Sequence, residues 1–216
     1  LMGGDINPES TSFVEYESDF IVERNLFLGA GVVISSSYIT VRNNVFNPTT
    51  SLAGGAPNGV AISWPSKGGA DQSPEPTVNE VYNNSFYNST ATSLGFAINI
   101  GQNNAMDTSC TLAMKNNLAY FPNITSPNLL ANTGTCVING QASYTDGTYG
   151  NSSISQIKST SPNWTNGSGN YTLPTDFKPN TGSYAIGAGY STPPALWTDF
   201  FGAARTSPYD MGAVNH

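Results

Sequence analysis

FIVERNLF at 20–27, ITVRNNVF at 39–46, NEVYNNSF at 79–86 and LAMKNNLA at 112–119 are one unit written four times. Asn25, Asn44, Asn84 and Asn117 hold the same place in it. Val22, Val41, Val81 and Met114 stand three residues earlier, and Phe27, Phe46, Phe86 and Ala119 two residues later. The apolar positions therefore change parity across the asparagine. A straight strand keeps one parity, because its side chains alternate between faces with period 2. The unit predicts a strand, a sharp corner in which one residue leaves the extended pattern, and a second strand. Asn suits such a corner because it tolerates left-handed backbone.

Working outward, a further strand precedes each of the last three corners: GVVI at 31–34, GVAI at 59–62 and GFAI at 95–98. Val32, Val60 and Phe96 align, as do Ile34, Ile62 and Ile98. Three short strands and a corner per turn of chain, repeated at 19 residues in the tightest case from Asn25 to Asn44, predict a solenoid. Stacked turns bury a narrow apolar column, and the corner asparagines form a ladder that satisfies otherwise buried backbone groups. No stretch carries helical periodicity with caps. The fold class read from the chain is all-β: a solenoid with an Asn ladder.

The pattern resembles the right-handed parallel β-helix proteins of the pectate-lyase-like superfold. The C-terminal stretch adds to the likeness: Tyr171-Thr-Leu, GSYAIGAG at 182–189, TDFFGAAR at 198–205 and Asp210-Met-Gly-Ala213. These are similar to the closing segment of secreted bacterial β-helix proteins, which reads SPAIDAG and then TDFDGxxR…DIGAYE. Gly187 replaces the usual Asp, and Val214-Asn215 the usual Tyr-Glu. On this reading 1–216 is a single β-helix domain with repeat coils over about 13–119, an irregular coil and loops over 120–170, and a closing segment over 171–216. The resemblance implies fold more than activity, because this superfold hosts lyases, hydrolases, adhesins and tail fibres.

Charge narrows the partners. Only 10% of the 216 residues are charged and the balance is −7, a poor match to nucleic acid, which needs clustered Lys and Arg. No apolar run is long enough to span a membrane. The uncharged polar composition predicts an extracellular or cell-surface protein. The start at Leu1-Met-Gly-Gly reads as a mature or trimmed form, with a piece of a longer β-helix as the alternative. Cys110 and Cys136 are the only cysteines and read as one disulfide, worth about 3 kcal/mol for a loop of about 25 residues. Sequons at Asn88, Asn123, Asn151, Asn163, Asn166 and Asn170 permit glycosylation in a host that performs it, whereas the one at Asn83 adjoins the ladder.

The resemblance places a groove along the GVVI, GVAI, GFAI strands, flanked by loops that lengthen to Pro48–Asn58, Ser63–Thr77, Asn88–Leu94 and Gly101–Ser109. The outward strand residues are small: Val33, Ala61 and Ala97, then Ser35, Ser63 and Asn99. None ionises, so catalysis would fall to loop residues, Lys67, Asp71 and Glu75 in one and Asp107 in another. A lyase needs a base and a cation beside a uronate, and an inverting hydrolase needs facing carboxylates. Neither set is legible. Trp64 is a sugar-stacking platform or a packing residue, and with Ser63 and Asn99 it forms the carbohydrate-binding candidate. Asp5-Ile-Asn-Pro-Glu9 offers oxygen ligands at alternating positions, short of the set a calcium loop needs, so no cofactor is expected, with bound calcium as the alternative. Glu15, Glu17, Asp19 and Glu23 either bind cations or keep an edge coil soluble. Arg205 between Asp199 and Asp210 reads as a bidentate ion pair pinning the closing segment. Two functions remain: an extracellular β-helix that binds or processes polysaccharide, as a lyase or hydrolase if an enzyme, and a non-catalytic adhesin or filament subunit that self-assembles.

Overall fold

The computed structural model describes residues 5–6, 20–28, 32–35, 38–47, 59–63, 78–87, 96–100, 111–122, 128–132, 137–141, 144–145, 156–157, 161–166, 171–189 and 198–216. Within them the regular structure is almost wholly strand, and every sheet is parallel. One sheet holds β1 (Asp5–Ile6), β4 (Val32–Ser35), β7 (Val60–Ser63), β10 (Phe96–Ile100) and β13 (Asn128–Asn132). A second holds β2 (Phe20–Glu23), β5 (Tyr38–Arg42), β8 (Val78–Tyr82), β11 (Thr111–Lys115) and β14 (Val137–Gln141). The third holds β3 (Leu26–Leu28), β6 (Val45–Asn47), β9 (Ser85–Tyr87), β12 (Leu118–Tyr120), β15 (Tyr144–Thr145) and β16 (Gln156–Ile157). From β1 to β15 every pairing joins strands three apart in chain order, and β16 pairs with β15. The sole helical turn described is a 3-10 turn over Pro174–Phe177.

The corner between the second and third sheets divides its work between two residues. Left-handed backbone falls on Arg24, Asn43, Asn83 and Asn116, with φ of 56°, 55°, 55° and 54°. These are the residues before the repeated asparagines, which corrects the sequence reading of a single asparagine at the bend. Freed from that task, Asn25, Asn44, Asn84 and Asn117 form a hydrogen-bonded row. Asn25 N and Nδ2 donate to Asn44 Oδ1 at 3.0 and 3.2 Å, and Asn44 N and Nδ2 to Asn84 Oδ1 at 3.0 and 3.1 Å. Asn84 repeats this toward Asn117 at 3.2 and 3.0 Å. The amide nitrogens also reach the main chain of the preceding turn: Asn44 to Val22 O at 2.8 Å, Asn84 to Val41 O at 2.9 Å and Asn117 to Val81 O at 2.7 Å. Asn44, Asn84 and Asn117 are fully buried.

The parity change at the corner is what lets both sheets face one core. Val22, Val41, Val81 and Met114 point inward from the second sheet and Phe27, Phe46 and Phe86 from the third, all at most 5% exposed. The three rings stack, with centroids 4.7 and 5.0 Å apart and planes within 7°. Ala119 continues the row in register with Phe86. Gly59 admits no side chain, because a Cβ there would sit 2.2 Å from Ala97 O and 2.5 Å from the Phe86 ring.

Two further corrections concern register. β10 pairs Ile98 with Val60 and Ile100 with Ile62, so Ile98 and Ile100, not Phe96 and Ile98, stand in register with those residues. A slip of two residues keeps every side chain on its face. Residues 128–157, read as irregular, supply β13 to β16 and extend all three sheets.

Over β6, β9 and β12 the outer face of the third sheet is also buried. Val45, Tyr87 and Leu118 project outward from it into a second core with Trp164, Tyr171, Phe177, Ala185, Met211, Ala213 and Val214. Trp164 meets Tyr87, Tyr171 and Phe177 edge-on at 5.0–6.1 Å. The C-terminal segment thus covers a sheet face.

Asn84→Ala should test the row. It removes the acceptor of Asn44 N and the donor to Val41 O, leaving buried groups unpaired at about 1–3 kcal/mol each. Chemical denaturation should show a loss above that of a surface alanine substitution, and an unchanged midpoint would remove the row from the list of structural supports.

Candidate functional site

The alternation that turns Val22, Val41, Val81 and Met114 inward turns the next residue of each strand outward. Register aligns Glu23, Arg42, Tyr82, Lys115 and Gln141 in one row across the second sheet, and Ile21, Thr40, Glu80, Ala113 and Asn139 in the row beside it. The sequence reading overlooked this row as a site, although it is the last residue of FIVE, ITVR, NEVY and LAMK in the repeated unit.

Arg42 is the centre of the row. Its Nε donates to Glu23 Oε2 at 2.6 Å and its Nη1 to the Tyr82 hydroxyl oxygen at 3.1 Å. Arg24 Nη2 lies 3.9 Å from Glu23 Oε1. Burial opposes the Arg42 charge, but hydrogen bonds to Tyr82 and Glu23 outweigh it and hold the guanidinium above its ordinary range. Burial raises the Tyr82 phenol, with Arg42 pulling it the other way. Tyr82 therefore stays a neutral phenol at physiological pH and is no base. Glu23 is already engaged by Arg42, and Glu80 stands in the adjacent row of the same flat face, so the pair does not face itself across a bond as hydrolysis requires. The row can donate and accept hydrogen bonds at one strand spacing, about 4.8 Å. It offers no catalytic set.

The residues chosen from sequence fare variously. Lys67, Asp71, Glu75, Asp107, Trp64, Cys110 and Cys136 lie outside the described residues. Ser63 ends β7 opposite Ser35, whereas Asn99 pairs with Ala61 and Ala131, so Ser63 and Asn99 stand in different rows rather than one. Asn88, Asn123, Asn151 and Asn170 are outside the described residues; Asn163 is exposed, Asn166 half-buried and Asn83 fully buried. Asp5 lies on β1, and Glu9, Glu15, Glu17 and Asp19 are outside the described residues. Among the described residues no three His, Cys, Asp or Glu are placed to share a metal ion, and no helix is long and apolar enough to cross a membrane.

Arg205, Asp199 and Asp210 do meet, though not as a bidentate pair. The guanidinium donates to main-chain carbonyls: Nη2 to Gly212 O at 2.7 Å and Ala213 O at 3.0 Å, Nε to Thr198 O at 3.1 Å and Nη1 to Asp210 O at 3.2 Å. The carboxylates are committed elsewhere. Asp199 Oδ1 accepts from Phe201 N and Ala203 N at 2.9 Å, and Asp210 accepts from Gly187 N at 2.9 Å and His216 N at 2.7 Å. Burial lowers Arg205 to about 10, and the two carboxylates restrain the fall. It is a structural centre for the C-terminal segment.

Comparison of the chain with protein-family models, with curated proteins and with solved structures finds no match.

Arg205→Lys should lower stability by about 2 kcal/mol or more, since an ammonium cannot serve four carbonyls spread around a planar fork. An unchanged denaturation midpoint would refute that role. Tyr171 gives a pH dependence. Burial, then Tyr87, Tyr120 and Asp176, raises its phenol from 10.0 to about 12. The unfolded chain therefore ionises first as pH rises. Stability fully present below pH of about 10 should decline as the pH rises to about 12. Melting curves across that window should fall less steeply for Tyr171→Phe than for the parent; equal slopes would contradict the assignment.

Proposed function

We propose that this chain is a right-handed parallel β-helix of the pectate-lyase-like kind, exported to the cell exterior or surface, and that the polar row on its second sheet binds polysaccharide without cleaving it. The fold reading is supported by three parallel sheets in which, through β15, each strand pairs three along the chain, and by the right-handedness general to parallel crossovers. The observation that carries the function is the line Glu23, Arg42, Tyr82, Lys115 across four neighbouring strands, with Arg42 fixed between Glu23 and Tyr82. A rigid line of donors and acceptors suits the hydroxyls of an extended glycan, whose binding costs less when the protein groups are already ordered. The low charge and net −7 favour an uncharged polar ligand over nucleic acid.

Export is supported by the cysteine pair. Thr111 and Val137, which directly follow Cys110 and Cys136, are partners in the register of β11 and β14. A disulfide closing there belongs to an oxidising compartment. Intact mass with and without reductant checks it.

A second reading, self-assembly, is favoured by Ile21 and Leu28, which are 50% and 42% exposed on β2 and β3, the outermost described strands of their sheets.

A glycan array with purified protein tests the first reading. The parent should bind at least one polysaccharide, and Arg42→Gln with Lys115→Gln should weaken that binding about tenfold or more (about 1.4 kcal/mol) at unchanged circular dichroism. No bound glycan, together with ordered polymers that Leu28→Lys disperses, would transfer the assignment to self-assembly.

A further inference from the structure

The left-handed corner positions make a second row of asparagines, Asn43, Asn83 and Asn116, beside the hydrogen-bonded one. The C-terminal segment lies over it. Arg205 Nη2 is 3.4 Å from Asn43 Oδ1, Gly212 N donates to Asn116 O at 2.9 Å, and Ala213 N donates to Ser85 Oγ at 2.9 Å. The join is close: Gly212 has φ of 89°, and a Cβ there would be 2.7 Å from Ser85 Oγ.

Asn83 sits in the middle of this seam, one strand from Asn43 and one from Asn116. Its main-chain N donates to Lys115 O at 2.9 Å. Its side chain is fully buried, and neither Nδ2 nor Oδ1 has a protein partner. Buried amides in folded proteins are almost always hydrogen-bonded, to protein or to ordered solvent.

We infer that Asn83 holds an internal water molecule in the seam between the strand corner and the C-terminal segment. The amide itself selects the ligand. It presents a donor and an acceptor side by side, so the ligand must accept from Nδ2 and donate to Oδ1. A cation satisfies the oxygen alone and is repelled by the neighbouring Arg205 charge. An anion satisfies only the nitrogen. Water does both, and two to four polar partners are what buried waters commonly have. The C-terminal segment is thereby sealed to the sheet through solvent at this one point, while Arg205 and Gly212 seal it directly on either side.

The test pairs a crystal structure of the full chain, at a resolution that shows ordered solvent, with water relaxation dispersion on the parent and on Asn83→Gly. Glycine adopts the φ of 55° without strain, so this variant keeps the fold. The expected result is a solvent peak within hydrogen-bond distance of both amide atoms of Asn83, and one fewer long-lived water in Asn83→Gly. An amide turned onto a protein group, or an equal number of long-lived waters in the two proteins, overturns the inference. Asn83→Asp adds an independent reading: without a donor it should lose the site or change its occupant, and an unchanged long-lived water would also count against it.

Discussion

The structure depends on one repeated hydrogen-bond arrangement, the side-chain row Asn25, Asn44, Asn84, Asn117. Each sheet corner must break the strand ladder, and a broken ladder inside the protein leaves main-chain groups without partners. The asparagine amide is suited to this because it carries both a donor and an acceptor. Its oxygen takes the main-chain N–H and amide of the turn before, and its nitrogen returns to a carbonyl there. Serine supplies only part of that exchange, and alanine none. The corner is then a fixed angle, and the angle determines that valines from one sheet and phenylalanines from the other share a single column.

From that column the rest follows by alternation. Residues that point away from it face either solvent or another layer. On the third sheet they are Val45, Tyr87 and Leu118, too apolar to leave in water, and the C-terminal segment supplies Trp164, Tyr171, Phe177 and Met211 to cover them. On the second sheet they are Glu23, Arg42, Tyr82 and Lys115, of which all but the buried Tyr82 stay partly exposed. The two outer faces therefore have opposite fates, fixed by residues one to three places from the same asparagine. Arg205 joins the corner to the covering segment, bonding four carbonyls of that segment around the edge of its guanidinium and reaching Asn43 through Nη2.

Much of this was legible in the chain, and the limits have physical causes. Parity across the asparagine placed the ladder residues and the phenylalanine stack, because a parity change admits few structures. It did not say which of two adjacent residues takes the left-handed backbone, since Asn43 and Asn44 are chemically identical; Arg24 beside Asn25 was the hint, as only one of that pair continues the repeat. The register of β10 was misread because a shift of two residues leaves the apolar pattern intact. β14 and β15 were missed because the chain between them reads Ala142-Ser143, with no asparagine pair to mark the corner. Arg205 was assigned by charge, and the geometry shows that carbonyls can hold a buried cation when the carboxylates nearby are occupied with main-chain N–H groups.

The candidate site was displaced for a different reason. The resemblance to β-helix enzymes drew attention to the first sheet, whose outward residues are small, and chemistry was then sought in loops. The ionisable side chains stood instead in the repeated unit itself, at the position before the left-handed residue, where Glu23, Arg42 and Lys115 are half-buried and Tyr82 is buried between them. Such a row is rigid because each strand is pinned at its end by the corner. Rigidity aids recognition, since no side chain has to be ordered on binding. It works against acid–base chemistry here, because Glu23 is already engaged by Arg42 and burial, against the pull of Arg42, keeps Tyr82 protonated. Groups that satisfy one another hold a shape well, and a ligand that recognises that shape is held by hydrogen bonds rather than by a free charge.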